Sequence, residues 1–565
     1  MRHRIPVISF LPFFSFFLFL FVLHTLDPTH PCLSSPLLPL PHRTHKMAIT
    51  ELVTSALQHS TKSNNLKLLF ALSAYFLYKY RSHAVGTRRR PDLKEPKGAY
   101  PLLGHMPLLA MIPGTKLYDF FEKNYNELGP VWSISLPFIG RMVQGDTPEM
   151  VEHVLKNNFW AYEKGPILKG ALGDLFGSGI FASDGPTWKF QRKQASHIFN
   201  VKAFREYTSD VFVIEAQKVL EYLGKAADAG TEIDFHALML HFTLDSFGAV
   251  SFGESFGCLE NIESKVDFAV SFDDLTATCS DRLMDPAWKI REALTSVGAK
   301  AKYDKALIRK HSLEIIQRRR TEGFKVTPGG KKDLLQLFME AKDDEGEPLS
   351  DEYLVDIILN FTIAGRDTTA QALSWMFYLI NRDGTDKEIM KTLVKEVDEV
   401  LGDGLPTYET HKQQKYAEAC FNEALRIFPS VPRNLKICVQ DDTLPDGTKI
   451  YAGEWFTWSS YVMGRSEAIW GPDVLAYNPA RWINTEKPSQ GKFSAFHAGP
   501  RVCLGQNFAV LEALTVIGMI LQKFELTLVD GAKVPAYGVS VTMPMLEGLP
   551  MRVTRRQKEG GAVAL

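Results

Sequence analysis

Cys503 stands in FHAGPRVCLGQNFA (496–509), among glycines and a proline, where an apolar helical pattern begins. A buried structural cysteine needs no such surroundings. The run Phe508, Ala509, Val510, Leu511, Ala513, Leu514 and Ile517 predicts a helix crossing the core. The thiol then lies near the positive end of a helix dipole, where a thiolate is stabilised. Such a thiolate serves as a nucleophile, a metal ligand or a redox sensor. The glycines let the loop wrap closely around something.

Three further groups of residues have spacings that could support chemistry. Asp367 and Thr368 lie in NFTIAGRDTTA (360–370), where an acid beside a hydroxyl could relay protons into an apolar cavity. Phe361, Ala364, Gly365 and Thr368 share one helical face at i, i+3, i+4, i+7. A glycine inside a helix costs about 1 kcal/mol relative to alanine, so Gly365 implies a close approach to the backbone. The bland reading is a solvated acid and a packed threonine on a core helix. Glu423 and Arg426 are spaced i, i+3 among apolar residues, and Arg481 in YNPARW is a further partner for that pair. In WKFQRK (188–193), Trp188 and Arg192 lie one turn apart and could face one anionic group. Lys189 and Lys193 would stay in solvent, and the plain alternative there is an ordinary basic helix surface.

These residues need elements to hold them. Ser350, with Asp351 and Glu352 after it, caps a predicted helix that runs to about Ile380. Most of the body reads as helical. VWSISL (131–136) predicts a strand, and DDTLPDGTKIYAG (441–453) predicts turn chemistry at the edge of a small sheet. TPGGKKDL (327–334) and GDGLPT (402–407) read as loops between helices. From Pro101 to Arg552 there is no low-complexity gap and no internal repeat, so a single domain is expected.

The net charge of −1 gives no global argument for nucleic acid. Six irregularly spaced cysteines without a CxxC pair support neither a disulfide framework nor a structural zinc site, and a reducing compartment fits best. The first 46 residues hold an apolar run, IPVISFLPFFSFFLFLFVL, close to the roughly 20 residues that span a bilayer, followed by a proline-rich linker. No cleavage site follows that run, and Met47 is an alternative start. Segment 47–93 contains LKLLFALSAYFLYKY (66–80) and the basic run Arg88, Arg89 and Arg90, which together read as a membrane anchor with its basic side in the cytosol. The alternative for 66–80 is a partly buried amphipathic helix.

Taken in order, the motifs resemble the cytochrome P450 family of haem-thiolate monooxygenases. Phe496, Gly499, Arg501, Cys503 and Gly505 match F-x-x-G-x-R-x-C-x-G; AGRDTT matches A-G-x-D-T-T; EALR matches E-x-x-R; WKFQR matches W-x-x-x-R. The family's P-E-R-W stands here as Pro479-Ala480-Arg481-Trp482. The resemblance implies a mainly α fold with small β-sheets, a single large haem domain over 94–555 behind an N-terminal membrane anchor, and a flexible tail at 556–565. It implies haem b with Cys503 as axial iron ligand, and a thiolate in that position pushes electron density toward the metal. By the same resemblance Trp188, Arg192, Arg433 and Arg501 hold the haem propionates. Asp367 and Thr368 deliver protons, Gly365 leaves room for dioxygen, and Glu423, Arg426 and Arg481 form a structural cluster.

NFTIAGRDTTA and FHAGPRVCLGQNFA further resemble the branch that hydroxylates the terminal carbon of fatty acids and alkanes, with Arg366 the most telling letter. Such an enzyme needs a cavity that holds the chain end-on. Its expected walls are residues 160–181, the surroundings of Phe361, residues 430–436 and residues 539–545, while Arg141 has only a background claim on a substrate carboxylate. The resemblance implies a separate NADPH-dependent flavoprotein reductase, since no FMN- or NADPH-binding segment follows Arg552, and Lys189 and Lys193 are candidates for its docking face. It also implies an endoplasmic reticulum membrane with the catalytic domain facing the cytosol. The alternatives are an isomerase or dehydratase of lipid hydroperoxides, a monooxygenase of sterols or other apolar molecules, and a non-catalytic haem-binding membrane protein.

Overall fold

In the computed structural model, residues 62–199, 202–262, 264–285, 287–323, 332–343 and 346–557 are described. The apolar run at 5–23, the proline-rich linker, the start of segment 47–93, most of loop 327–334 and most of the tail lie outside them. The chain divides into two units, one ending at Tyr78 and the other beginning at Lys79. In the first, helix α1 (Lys62–Lys79) exposes Leu72, Tyr75, Leu77 and Tyr78. No described helix is long and apolar enough to cross a membrane.

The second unit is mainly helical. Its chief helices are α2 (Leu117–Leu128), α3 (Gly185–Phe199), α4 (Lys202–Ala229), α5 (Phe235–Phe252), α6 (Asp267–Met284), α7 (Asp351–Asn381), α8 (Lys415–Ile427) and α9 (Gln506–Lys523). The strands are β1 (Val131–Leu136), β2 (Gly140–Gly145), β3 (Tyr162–Glu163), β4 (Glu232–Asp234), β5 (Asn434–Cys438), β6 (Asp442–Thr443), β7 (Lys449–Ile450), β8 (Trp455–Trp458), β9 (Phe524–Leu528) and β10 (Pro550–Arg555). They form a five-stranded sheet in the order β1-β2-β8-β5-β3, a three-stranded sheet β4-β10-β9, and the pair β6-β7. The strand expected at VWSISL is β1, and the turn expected at 441–453 is the β6–β7 pair, with Gly447 at φ 87°. In the large sheet β2 and β8 run parallel, Met142 opposite Trp455.

Helix α7 organises the core. Ser350 caps it by accepting a hydrogen bond from the Tyr353 amide, with Asp351 and Glu352 in the first turn, as the sequence predicts. From Leu354 to Ile380 every residue is buried except Ala364 and Thr368. A helix buried on nearly every face runs through the interior, and its buried polar side chains there, such as Asp356, Asn360 and Arg366, are hydrogen-bonded. It joins two apolar clusters: Leu354–Ile363 pack with Phe176, Phe247 and Phe272, and Ala370–Ile380 with Phe235, Phe421 and Ile517. The AGRDTT stretch falls between them. Helix α9 passes between the same two clusters at Glu512.

Candidate active site

The Cys503 amide donates to the Phe496 carbonyl at 2.9 Å, which closes the loop leading into α9. Gly505 is the residue before the helix, so the thiol sits at its N-terminal end as expected. The Cys503 side chain is exposed to solvent and yet lies deep in the protein, so its open face borders an interior space. Burial pushes the thiol pKa up, while the Gly505 amide and the Arg192 guanidinium work the other way. A side chain built at Gly505 would meet nothing within 4 Å except Cys503 Sγ, at 3.9 Å. That open cradle beside a sulfur suits a flat cofactor.

Ala364 and Thr368, one turn apart, are the accessible window in the middle of α7. Thr368 Oγ1 donates to the Ala364 carbonyl at 2.7 Å, and the Thr368 carbonyl accepts from Ser430 Oγ at 2.7 Å. Asp367 is buried and turned toward Arg366, whose Nη1 donates to its carboxylate at 3.1 Å. Burial raises the Asp367 pKa to about 6, against the pull of Arg366. The acid and the hydroxyl are therefore chain neighbours with separate surroundings. Arg366 itself pairs with Asp273 of α6.

The close approach expected at Gly365 exists, but a protein ring makes it. A Cβ there would lie 1.9 Å from Phe247 Cδ2. Gly365 thus lets α5 pack against α7 on the side where a Cβ would project. Gly499 is used in the same way. It has φ 64°, and a Cβ there would lie 1.9 Å from the Leu155 carbonyl oxygen.

Trp188 and Arg501 meet, with the guanidinium carbon 4.4 Å from the ring centre. Arg501 donates to Asp184 Oδ1 at 2.8 Å and to the Ser183 carbonyl at 3.0 Å, while its Nε is buried without a partner. Burial lowers its pKa to about 10, with Arg192 adding to the drop and Asp184 opposing it. Arg192 makes no hydrogen bond or ion pair among the described residues and feels the charge of Cys503. Lys189 and Lys193 are exposed.

Two lysines that sequence reasoning missed belong to this group. Lys436 is 1% exposed, and its Nζ has no hydrogen-bond partner among the described residues, only the Phe159 ring 5.9 Å away. Burial holds its pKa well below the ordinary lysine value, and Lys164 and Arg501 depress it further. Lys164 is lowered to about 8 by burial and by Arg501. A buried, unpartnered cation costs several kcal/mol unless an anion joins it. Four cationic side chains against two acids, the paired Asp184 and Glu163, leave an excess of positive charge that fits a dianion such as the two haem propionates.

Arg433 has close contacts of its own. Its guanidinium lies 3.9 Å from the centre of the Phe121 ring of α2, and Nη2 donates to Thr457 Oγ1 at 3.3 Å. Burial lowers its pKa to about 10, and Asp146 is its nearest acidic influence. The Arg433 Nε is buried without a hydrogen-bond partner, as the Arg501 Nε is. Arg141 is buried and bonded to Glu95, Ser133 and the Arg88 carbonyl, so it is committed to the framework. Of the expected cavity walls, Phe361 is buried, Leu435 and Val541 are partly buried against the same apolar cluster, and Trp160 is exposed.

Glu423, Arg426 and Arg481 come together. Arg426 holds Glu423 through two hydrogen bonds of 2.8 Å, both side chains fully buried, and Arg481 Nε lies 3.3 Å from the same carboxylate. Trp482 Nε1 donates to Glu423 at 2.9 Å, a partner the motif gave no reason to expect. Arg481 is also paired with Asp473 and is not left uncompensated by the alanine at 480.

Residues 94–546 match the cytochrome P450 family model. Among similar curated proteins, cytochrome P450 monooxygenase cyp1 of Mycosarcoma maydis is 36% identical over 518 residues, covering 87% of this chain and 80% of that protein. Cytochrome P450 86B1 of Arabidopsis thaliana is 32% identical over 87% of this chain and 90% of its own length. Cytochrome P450 94B1 of the same plant is 33% identical over 75% and 84%. With the thiol, its cradle and the cationic socket in place, these matches establish that the chain belongs to the cytochrome P450 family.

Proposed function

We propose that the protein hydroxylates the terminal carbon of a long-chain fatty acid or alkane, using dioxygen and electrons passed from NADPH by a separate flavoprotein reductase. The observation that carries this reading is the accessible Ala364–Thr368 window in an otherwise buried helix, in a chain whose one exposed described cysteine is Cys503. Bound haem supplies the activation of dioxygen, with Cys503 as its iron ligand. Arg192, Arg501, Lys436 and Lys164 would hold the cofactor carboxylates. Thr368 would offer its hydroxyl on the oxygen side. Asp367, with a pKa near 6, would exchange protons close to neutral pH.

Terminal attack is harder than attack on the neighbouring methylene, so the cavity has to supply orientation. Phe361, Leu435 and Val541 provide apolar surface that would exclude water and guide a hydrocarbon chain. The letters of NFTIAGRDTTA and FHAGPRVCLGQNFA support an aliphatic chain over a sterol. The exposed tyrosines and leucines of α1 support a seat at a membrane surface, which we assign to the endoplasmic reticulum with the catalytic unit in the cytosol.

The test is a product profile by mass spectrometry, with reductase and NADPH, across fatty acids, alkanes and a sterol. Terminal alcohols from the fatty acids or alkanes support the proposal. A hydroxylated sterol alone would overturn the substrate class, and rearranged lipid hydroperoxide formed without NADPH would overturn the reaction.

A further inference from the structure

His497 occupies a backbone conformation that is close to glycine-only. Its φ is 64° and its ψ −169°. Residues held there cost of order 1–3 kcal/mol and persist where the surroundings impose them. Here the strain keeps an imidazole inside the cofactor loop, edge-on to Trp458 of β8 with ring centres 5.5 Å apart. Nδ1 lies 3.1 Å from the Ala498 carbonyl. A carbonyl only accepts, so Nδ1 carries the proton. In the neutral ring Nε2 is therefore a bare lone pair, with no hydrogen bond among the described residues.

The charges that act on the ring are those of the cations just described: Lys436 from β5, Lys164 after β3, and Arg501 from its own loop. The acids near that socket are Asp184, already paired with Arg501 and Lys169, and Glu163. Burial first, then Lys436 and Lys164, hold the imidazole neutral when no anion is present. A carboxylate entering the socket reverses that balance. It would repel a bare Nε2 and attract a protonated one.

We propose that His497 is a positioning residue for one haem carboxylate, and that it takes up a proton at Nε2 when the cofactor binds. No bond to carbon or iron changes. One proton from solvent joins Nε2, and the resulting N–H donates to the carboxylate. By reciprocity, protonation of His497 tightens the hold on haem and loss of that proton loosens it. This inference rests on haem binding at Cys503.

The test is the rate of haem transfer from the holoenzyme to excess apomyoglobin, measured against pH for wild type, His497→Gly and His497→Gln. Glycine takes the 497 backbone conformation without strain, so His497→Gly keeps or gains fold stability. The wild-type rate should rise by up to about tenfold per pH unit through the imidazole titration, the limit for one linked proton. His497→Gly should lose haem about tenfold faster or more at acidic pH and converge with wild type at alkaline pH. His497→Gln donates a hydrogen bond without titrating, so its rate should lie between the two and lack the imidazole's part of the pH dependence. The same pH profile in all three proteins, with wild type holding normal haem, overturns the role of His497 alone. Wild-type protein that binds no haem overturns the haem site and this inference with it.

Discussion

Arg366 reaches from α7 to Asp273 on α6, Nη2 to Oδ2 at 3.0 Å, while its Nη1 touches Asp367 at 3.1 Å. The guanidinium is 2% exposed and Asp273 is 51% exposed, so a buried cation is tied to a surface acid. Asp273→Asn should destabilise the protein by about 1.5 kcal/mol, the low end for a hydrogen bond to a charged group, because its carboxylate is half in water. Asp274→Asn, which breaks a pair with exposed Lys300, should change almost nothing. Urea unfolding of both variants makes the comparison, and equal losses would remove the special status of Arg366.

Thr368 faces the open window, and its hydroxyl is held by the Ala364 carbonyl. Thr368→Ala removes the hydroxyl without disturbing the buried face of α7. Haem content should be unchanged, product formation should fall by up to about a hundredfold, and a larger share of the NADPH should be recovered as peroxide. Full coupling of NADPH to product in this variant would take Thr368 out of the proton path.

Glu423 is fully buried, accepts from Arg426, Trp482 and the Asn478 amide, and is ion-paired with Arg481. Glu423→Gln removes the only carboxylate paired with Arg426 among the described residues and leaves a buried cation with carbonyl partners. The expected loss is about 3–5 kcal/mol. Arg481→Ala should cost less, because Arg481 divides its charge between Glu423 and the half-exposed Asp473. Midpoints of chemical unfolding at constant haem occupancy decide the order.

Glu512 lies where α9 crosses between the two apolar clusters, hydrogen-bonded by Ser246 with Thr369 beside it. Burial raises its pKa from 4.5 to about 8. The unfolded chain ionises this group first as pH rises, so its contribution to stability is complete below pH 4.5 and is lost between there and pH 8. Glu512→Gln cannot ionise. Its melting temperature relative to wild type should climb across that interval, and parallel curves would show that the carboxyl is ionised in the fold.

Much of this was legible in the letters because it is local. Ser350 and its two acids announce the start of α7, EALR puts Glu423 and Arg426 on one face, and Trp188 and Arg192 lie a turn apart. What spacing could not give is which distant segment comes to meet a residue. Gly365 required a close neighbour, and nothing nearby in the chain named Phe247. Lys436 lies on β5 and Lys164 just after β3, and they share one socket because those strands pair, Tyr162 opposite Cys438. Arg433 is only three residues before Lys436, and its guanidinium lies over the Phe121 ring of α2. The odd spacing was a signal, since neighbours at i and i+3 in extended chain point to opposite faces.

The parallel union of β2 with β8 sets an order of events during synthesis. Val143 meets Phe456, a residue made roughly 300 positions later. At about 5–20 residues per second, a ribosome needs roughly 15–60 s to cover that interval. Throughout it the β1–β2 hairpin carries an unpaired rim open to stray strands, and in this fold that rim is sealed only shortly before the thiol loop itself emerges.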